Sequence, residues 1–149
     1  MGLYDTISIA KAHLPQDGAE KYFAIIGDMF NGQTKDLDCA MREFRIVEDH
    51  LEKYFCETEW VEGDPNAESW IDRLGQIKEV GEPWWKNYPC HAKIRLYDFK
   101  HGDEDLDFWI EFELTFTHSK LESIELVEYE ERPNQERKQQ EKEIFESWK

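Results

Sequence analysis

Residues 107–117 alternate strictly between apolar and polar positions, and this feature constrains the fold more than any other in the sequence. One set of alternate positions is entirely apolar: Phe108, Ile110, Phe112, Leu114 and Phe116. The other set is mostly polar: Asp107, Trp109, Glu111, Glu113 and Thr115. Successive side chains of a strand point to opposite faces of a sheet. The pattern therefore predicts an antiparallel strand with one face on a hydrophobic core.

Shorter stretches of alternation predict the rest of a sheet. A turn at residues 118–120 and a return strand at 121–129 complete a hairpin with the strand above. Four earlier segments also predict strands: 3–10, 42–48, 51–60 and 92–99. The second and third of these are joined by a short polar turn, so they predict another hairpin.

Several stretches between these strands are less regular. Residues 20–30 fit either an amphipathic helix or a buried strand, and Asn31-Gly32 after them predicts a turn. Residues 68–74 predict a helical turn. Residues 81–85 predict a loop or the entry to a strand, because proline cannot donate to the hydrogen-bond ladder of a sheet.

The last segment, residues 133–148, predicts a helix. It begins with a proline, which suits a first helical turn, and is rich in Gln, Glu, Arg and Lys. Arg137 and Glu141 are spaced for an ion pair along the helix. Apolar residues occur only near its end: Ile144, Phe145 and Trp148. We expect a solvated helix that docks by its last turn or contacts a partner.

Together these elements predict a mainly β protein of the α+β class. Its core would be an antiparallel sheet built of hairpins, followed by a C-terminal α-helix. We expect residues 1–132 to form a single β-rich domain and residues 133–149 to form a helical tail.

Composition excludes several classes of protein. Aromatic residues make up 14% of the 149 residues, which is too many for a disordered chain. No apolar run is long enough to cross a membrane, and the N-terminus lacks a leader pattern, so we expect a cytoplasmic protein. The three cysteines are widely spaced and are expected to be reduced thiols. A net charge of −16 argues against direct binding of nucleic acid, which needs a basic surface.

The negative charge is confined to two segments. Residues 43–68 hold nine acidic and two basic side chains, and residues 102–131 hold eleven acidic side chains and one basic one. We expect the acids of the last hairpin and the loop before it to form one outward face that binds a partner with a basic surface. The alternative is that this charge only keeps the protein soluble. The predicted partner-binding residues are Asp103, Asp105, Asp107, Glu111, Glu113, Glu122, Glu125 and Glu128.

A second candidate surface lies in residues 69–101, where the basic side chains outnumber the acidic ones by six to four. Aromatic and basic side chains are mixed there, as in proteins that stack on single-stranded bases. Packing in a core or an interface is the competing interpretation. The residues of this predicted patch are Trp84, Trp85, Lys86 and Arg95.

No pattern in the sequence predicts catalysis, a metal or a cofactor. Asp103, Asp105 and Asp107 have the spacing of calcium ligands, but a calcium-binding loop also needs glycine and glutamate where this chain has Phe108 and Leu114. The histidines lie in or beside predicted turns or strand ends and match no hydrolase or metalloprotease motif. We therefore expect a protein that is not an enzyme.

Three segments carry a resemblance to a known group of proteins. They are Met-Gly-Leu-Tyr-Asp-Thr-Ile at residues 1–7, Gln-Thr-Lys-Asp-Leu-Asp-Cys at 33–39 with Phe-Arg-Ile at 44–46, and the hairpin with Trp-Ile-Glu-Phe at 109–112 and Lys-Leu-Glu-Ser-Ile at 120–124. Together they resemble a family of small, uncharacterised phage and prophage proteins. The chain departs from that family in a longer segment at 11–31 and in the helical tail.

The resemblance implies a viral or prophage origin and an accessory role inside a bacterial host cell. The Gln-Thr-Lys-Asp motif itself lacks the glycines and spacing of a phosphate-binding loop. We expect Thr34 and Asp36 to order a turn by bonding to nearby backbone N–H groups.

These observations favour a non-enzymatic accessory protein that binds a host protein through its acidic surface. The partner could be a basic nucleic-acid-binding protein, with the acids imitating phosphates, or a defence factor that is inhibited. The alternative is a small structural or assembly protein that oligomerises through the tail helix and the tryptophan patch.

Overall fold

The computed structural model describes residues 3–102 and 105–148, and one mixed sheet of eight strands dominates them. The strands are β1 (Asp5–Ala10), β2 (Met29–Thr34), β3 (Glu43–Val47), β4 (His50–Val61), β5 (Gln76–Asn87), β6 (Ala92–Lys100), β7 (Leu106–Thr117) and β8 (Lys120–Pro133). The helices are α1 (Glu20–Ile25), α2 (Trp70–Arg73) and α3 (Gln135–Ser147), with a short 3-10 turn at Lys11–His13. The predicted class, mainly β with a C-terminal helix, is confirmed.

The strands lie in the order β5-β4-β3-β1-β2-β6-β7-β8. Both predicted hairpins are present, as β3–β4 and β7–β8. The sheet is not wholly antiparallel, because β3 returns to pair parallel to β1. The sheet also curls, which brings the start of β8 close to the turn between β3 and β4. There the backbone N–H of Leu121 donates to the carbonyl of Asp49, at 2.6 Å.

The core lies on one side of the sheet and follows the alternation of the strands. All five apolar residues of the alternating stretch in β7 are buried, as predicted. Helix α1 covers part of this face with Tyr22 and Phe23, and the Tyr22 hydroxyl donates to Asp98 of β6 at 2.7 Å. Burial, together with the neighbouring carboxylate, raises the pKa of Tyr22 and keeps this hydroxyl protonated.

The ambiguous segment at residues 20–30 contains both kinds of structure. It forms helix α1 and then enters β2 at Met29. The turn predicted at Asn31-Gly32 is wrong, because both residues lie inside β2. A Cβ atom at Gly32 would sit only 2.5 Å from Cγ of Leu96, so the glycine is there to let two strands pack closely.

Residues 81–85 lie within β5 rather than in a loop. Pro83 is tolerated there because β5 is the edge strand of the sheet. The predicted helical turn at residues 68–74 is confirmed as helix α2.

Helix α3 docks by its first turn, so the first of the two expectations, docking by the last turn, is wrong, and the second, contact with a partner, stays a prediction. Arg137 in the first turn binds Asp107 of β7 and also forms the predicted ion pair with Glu141, at 2.8 Å. In the last turn, Ile144 is 57% exposed and Trp148 is 84% exposed. The charged anchor lies at the start of the helix because the end of β8 delivers the chain beside the start of β7.

A buried carboxylate holds the connection that leads from β2 to β3. Asp5 is fully buried and accepts backbone N–H bonds from Cys39 (2.7 Å), Ala40 (3.1 Å) and Arg42 (2.9 Å). Cys39 and Met41 have positive φ angles of 52° and 56°. That conformation costs roughly 1–2 kcal/mol per residue, so the connection needs the carboxylate to hold it.

The Gln-Thr-Lys-Asp motif forms part of the same connection and has the structural role that we expected. The hydroxyl of Thr34 accepts the backbone N–H of Asp36 at 3.2 Å. The Asp36 carboxylate accepts the backbone N–H of Arg95 at 2.7 Å, which ties the turn to β6.

We predict that Asp5→Ala lowers the free energy of unfolding by roughly 3 kcal/mol, because three backbone N–H groups lose a buried carboxylate acceptor. Asp5→Asn should cost less, since its amide oxygen still accepts. Urea unfolding followed by circular dichroism measures both. Asp17→Ala, at an exposed turn, is the control and should change stability by less than about 0.5 kcal/mol. Equal losses in Asp5→Ala and the control would contradict this role.

Candidate functional site on the outer face of β6, β7 and β8

Four of the predicted acids come together on the outer face of the last hairpin, and we call these four residues the acidic face: Glu111, Glu113, Glu125 and Glu128. Glu111 lies directly opposite Glu128 across β7 and β8, and Glu113 lies opposite Glu125. Because the even-numbered apolar residues of β7 fill the core, the glutamates between them point outward.

A β-bulge places both acids of β8 on this face. Glu125 and Glu128 are three residues apart, so a regular strand would send them to opposite sides of the sheet. The register shifts between Glu111 and Phe112 of β7, and Val127 of β8 is the extra residue. The bulge restores the outward direction of Glu125. A second shift, between Thr115 and Phe116 of β7, leaves Glu122 as the extra residue of β8.

Two of the four glutamates are already neutralised within the protein. Arg95 of β6 contacts Glu113 with Nε at 3.0 Å and Glu111 with Nη1 at 3.4 Å. Lys93 of the same strand supplies the second positive charge, with Nζ 3.8 Å from Glu113. The side chains of Glu111 and Glu113 are only 20% and 18% exposed. Glu125 and Glu128 are exposed and have no ion pair among the described residues. The uncompensated charge of the acidic face therefore lies on β8.

Three aromatic side chains lie beside the acidic face, and we call them the aromatic row: Tyr97, Phe99 and Trp109. Tyr97 and Trp109 stack with ring centres 5.4 Å apart and an angle of 23° between the rings. Tyr97 is paired in register with Glu111, so the aromatic row adjoins the carboxylates. Phe99 is exposed, and the guanidinium of Arg132 lies 6.0 Å from its ring centre.

This arrangement suits the recognition of lysine and arginine side chains. Carboxylates form charge-assisted hydrogen bonds with these cations, and aromatic faces attract them as well. The acids are carried by paired strands rather than by loops, so they are held in place before a partner arrives.

The remaining predicted acids lie elsewhere. Glu122, at the second bulge, borders a shallow surface hollow of about 550 Å³ together with His13 and Glu48. Asp105 is exposed in the loop that leads to β7, and Asp103 lies outside the described residues.

The expectation that Asp107 contributes to a binding surface is wrong, because this residue is only 4% exposed. Arg137 of α3 binds both of its carboxylate oxygens, at 2.6 and 2.9 Å. The backbone N–H of Gly102 and the side-chain amide of Asn134 also donate to it, at 3.1 and 3.3 Å. The Arg137 guanidinium, with these further donors, holds the pKa of Asp107 well below its usual range.

The alternation of apolar and polar residues in β7 predicts that Asp107 is exposed on the outer face. No local sequence pattern contradicts that prediction. Its partner is thirty residues away in the sequence, in a helix whose docking is decided by the same contact. Asp107 therefore joins the tail helix to the sheet.

The predicted aromatic and basic patch does not form one surface. Arg95 lies in β6, whereas the two tryptophans lie in β5, with four strands between. Trp84 stacks on Phe55 at 5.9 Å between ring centres. Trp85 meets Tyr54 edge-on at 5.3 Å and lies 4.2 Å from the Arg45 guanidinium. Lys86 follows them along the exposed edge strand.

Three broader findings bear on the chemistry of the protein. Within residues 3–102 and 105–148, no three His, Cys, Asp or Glu side chains are grouped so that they could hold a metal ion. None of the helices in these residues has the length and apolar character required to cross a membrane. Comparisons with protein-family models, curated proteins and solved structures find no match to the chain.

We predict that Asp107→Asn destabilises the protein by roughly 3 kcal/mol at neutral pH, because a buried ion pair loses one partner. The pKa of Asp107 is lowered on folding, so its stabilising effect is present above the unfolded value of about 3.9 and is lost as the pH falls through the folded value. The difference from the wild type should therefore shrink in acid. Thermal unfolding between pH 2 and pH 7 measures it.

The matched control is Asp105→Asn, which makes the same chemical change at an exposed position two residues away. It should change stability by less than about 0.5 kcal/mol at any pH. A loss for Asp107→Asn that stays constant down to pH 2 would contradict the ion-pair explanation.

Proposed function

We propose that this chain is a non-enzymatic binding protein whose acidic face engages a partner protein through a basic surface. The observation that carries the proposal is the pairing of like charges, Glu111 with Glu128 and Glu113 with Glu125, directly across two strands. Cross-strand carboxylates disfavour folding. Their concentration on one exposed face supports a role outside folding.

Solubility alone accounts poorly for this arrangement. A soluble surface needs charge, but it gains nothing from placing like charges opposite one another and then neutralising half of them with Arg95 and Lys93. The division of roles is more specific. Arg95 makes the face compatible with folding, and Glu125 and Glu128 keep charge that is available to a partner.

The partner that fits is a protein surface rich in lysine and arginine. Glu125 and Glu128 would pair with these cations, and the aromatic row would add contact area next to them. Negative charge on this side of the molecule would also speed the association by electrostatic steering, most strongly at low salt.

We propose further that the partner is a basic protein of a bacterial host, and that the carboxylates imitate nucleic-acid phosphates or block a defence factor. This step rests on the resemblance to small phage and prophage proteins at residues 1–7, 33–39 and 109–124. Under this proposal the protein acts in the bacterial cytoplasm, as an accessory of a phage or prophage.

A second candidate function is that of a small phage structural or assembly protein that oligomerises. The exposed apolar residues of the last turn of α3, Ile144 and Trp148, favour it. Light scattering separates the two candidates, because an assembly protein should grow in mass with concentration. A monomer at the highest attainable concentration would remove the second candidate.

We predict that Glu125→Gln with Glu128→Gln weakens binding of a synthetic lysine-rich peptide about tenfold at low salt, through the loss of two exposed charge contacts. Isothermal titration calorimetry gives the affinity, and NMR chemical shifts should locate the peptide on β6, β7 and β8. The control is Glu136→Gln with Glu143→Gln on α3, which has the same net charge. An equal loss in the control, or shifts spread over the whole surface, would contradict the proposal.

Arg95→Gln should have the opposite effect on binding. It removes the cation that Glu111 and Glu113 share and leaves only the Lys93 contact to Glu113, so the same peptide should bind about threefold more tightly at low salt. It should also lower the stability of the protein by less than about 1 kcal/mol, because the Arg95 side chain is 46% exposed and water screens its ion pairs. Weaker peptide binding by this variant would show that the acidic face is not the binding surface.

A further inference from the structure

The hairpin of β4 and β5 extends beyond the core, and we call residues 52–87 the arm. Leu51 at the start of β4 belongs to the core, and the next core residue along the chain is Ile94 of β6. No apolar residue of the arm belongs to the core or to the partly buried residues that pack against it. Two strands that pair only with each other over most of their length are marginally stable in water. Packing of the hydrophobic core therefore does not explain why the chain forms the arm.

The far end of the arm, residues 57–80, carries a group of large apolar side chains, and we call this end the tip. Trp60 of β4 and Ile77 of β5 are directly opposite each other across the hairpin. Helix α2, in the connection between these strands, adds two more, and one follows it. All five are 56–70% exposed: Trp60, Trp70, Ile71, Leu74 and Ile77.

The tip has a defined structure despite its exposure. A Cβ atom at Gly75 would come within 1.9 Å of Cζ2 of Trp60, so the chain folds closely over this indole ring. The backbone N–H of Asp64 donates to the carbonyl of Asp72 at 2.9 Å, which closes the connection. Arg73 donates to the carbonyl of Glu68 at 3.1 Å. The exposed apolar side chains are thus presented by an ordered element.

The net charge of the tip indicates which kind of partner surface can bind it. Residues 57–80 hold seven acidic and two basic side chains, a net charge of −5. A second copy of the tip would bring the same charge and be repelled. A segment with apolar residues flanked by lysine or arginine matches both the apolar side chains and the acids among them.

We propose that the tip is a docking surface for a basic amphipathic segment of a partner protein. Trp60 and Trp70 are its anchors, because tryptophan supplies much of the binding energy where it is buried in an interface. The surrounding acids pair with the cations of the segment. This surface is separate from the acidic face, and neither proposal depends on the other.

A peptide titration of the full chain tests the docking surface. The probe is a short synthetic peptide of leucine and lysine that is amphipathic as a helix. The variant is Trp70→Ser with Ile71→Ser, which changes exposed residues of α2 and leaves Trp60 in place over Gly75. Fluorescence anisotropy of the labelled peptide should show at least a tenfold loss of affinity. Thermal unfolding should be unchanged, which shows that the variant folds.

The matched control removes the same two residue types from the tail helix, as Ile144→Ser with Trp148→Ser. It should change the affinity by less than about twofold. A leucine and glutamate peptide of the same pattern should not bind the wild type. A second variant, Leu74→Ser with Ile77→Ser, should repeat the loss.

Three outcomes would overturn the proposal: unchanged affinity in the tip variants, an equal loss in the α3 control, or wild-type self-association that the Trp70→Ser/Ile71→Ser variant abolishes. The last would mean that a second copy occupies the tip. Glu125→Gln with Glu128→Gln should leave binding of the leucine and lysine peptide within about twofold, so failure of the acidic face and failure of the tip give different results.

Discussion

The order of the central strands depends on one buried carboxylate. Strands β2 and β3 pair with β1 on opposite sides, so the chain between them must cross the end of β1. Asp5, the first residue of β1, lies at this crossing. That passage uses two residues with left-handed backbone geometry, and the three N–H bonds to Asp5 hold it in place. The parallel pairing of β1 with β3 follows, and β4 and β5 then extend the sheet on that side. Asp107 has a similar role near the opposite edge of the sheet, where it fixes α3 against β7.

Local alternation was enough to predict most strands, because each strand buries one face and exposes the other. It failed where the deciding contact is distant. Gly32 was assigned to a turn because Asn-Gly is a common turn, but the closeness of Leu96 in β6 explains the glycine. Asp107 was assigned outward because of its place in the alternation, but Arg137 and Asn134 enclose it. Neither partner can be found from spacing along the chain.

The candidate site was predicted in part. Charge counting found the acids of the last hairpin, and the structure places four of them on one face. It did not find that Arg95 and Lys93 neutralise two of these acids, since a prediction from a single sequence cannot provide the register of β6 against β7. The helical turn at the tip of the arm was predicted, but the exposed apolar surface there was not. A signal was present, because Trp60, Trp70, Ile71, Leu74 and Ile77 lie close together in an acidic, irregular stretch that has no regular apolar face.

The break in the pairing of β5 with β4 affects how readily this edge strand can pair with another protein chain. Gly81 and Pro83 fall where the ladder between β4 and β5 is broken, with no partner between Val80 and Trp84. The β5 edge of the sheet is thus divided into two short pieces, and its proline offers no backbone donor. An edge of this kind is a poor template for the addition of another strand. The protein can present an extended arm, apolar at its end, whose outer strand does not favour the addition of a strand from another chain.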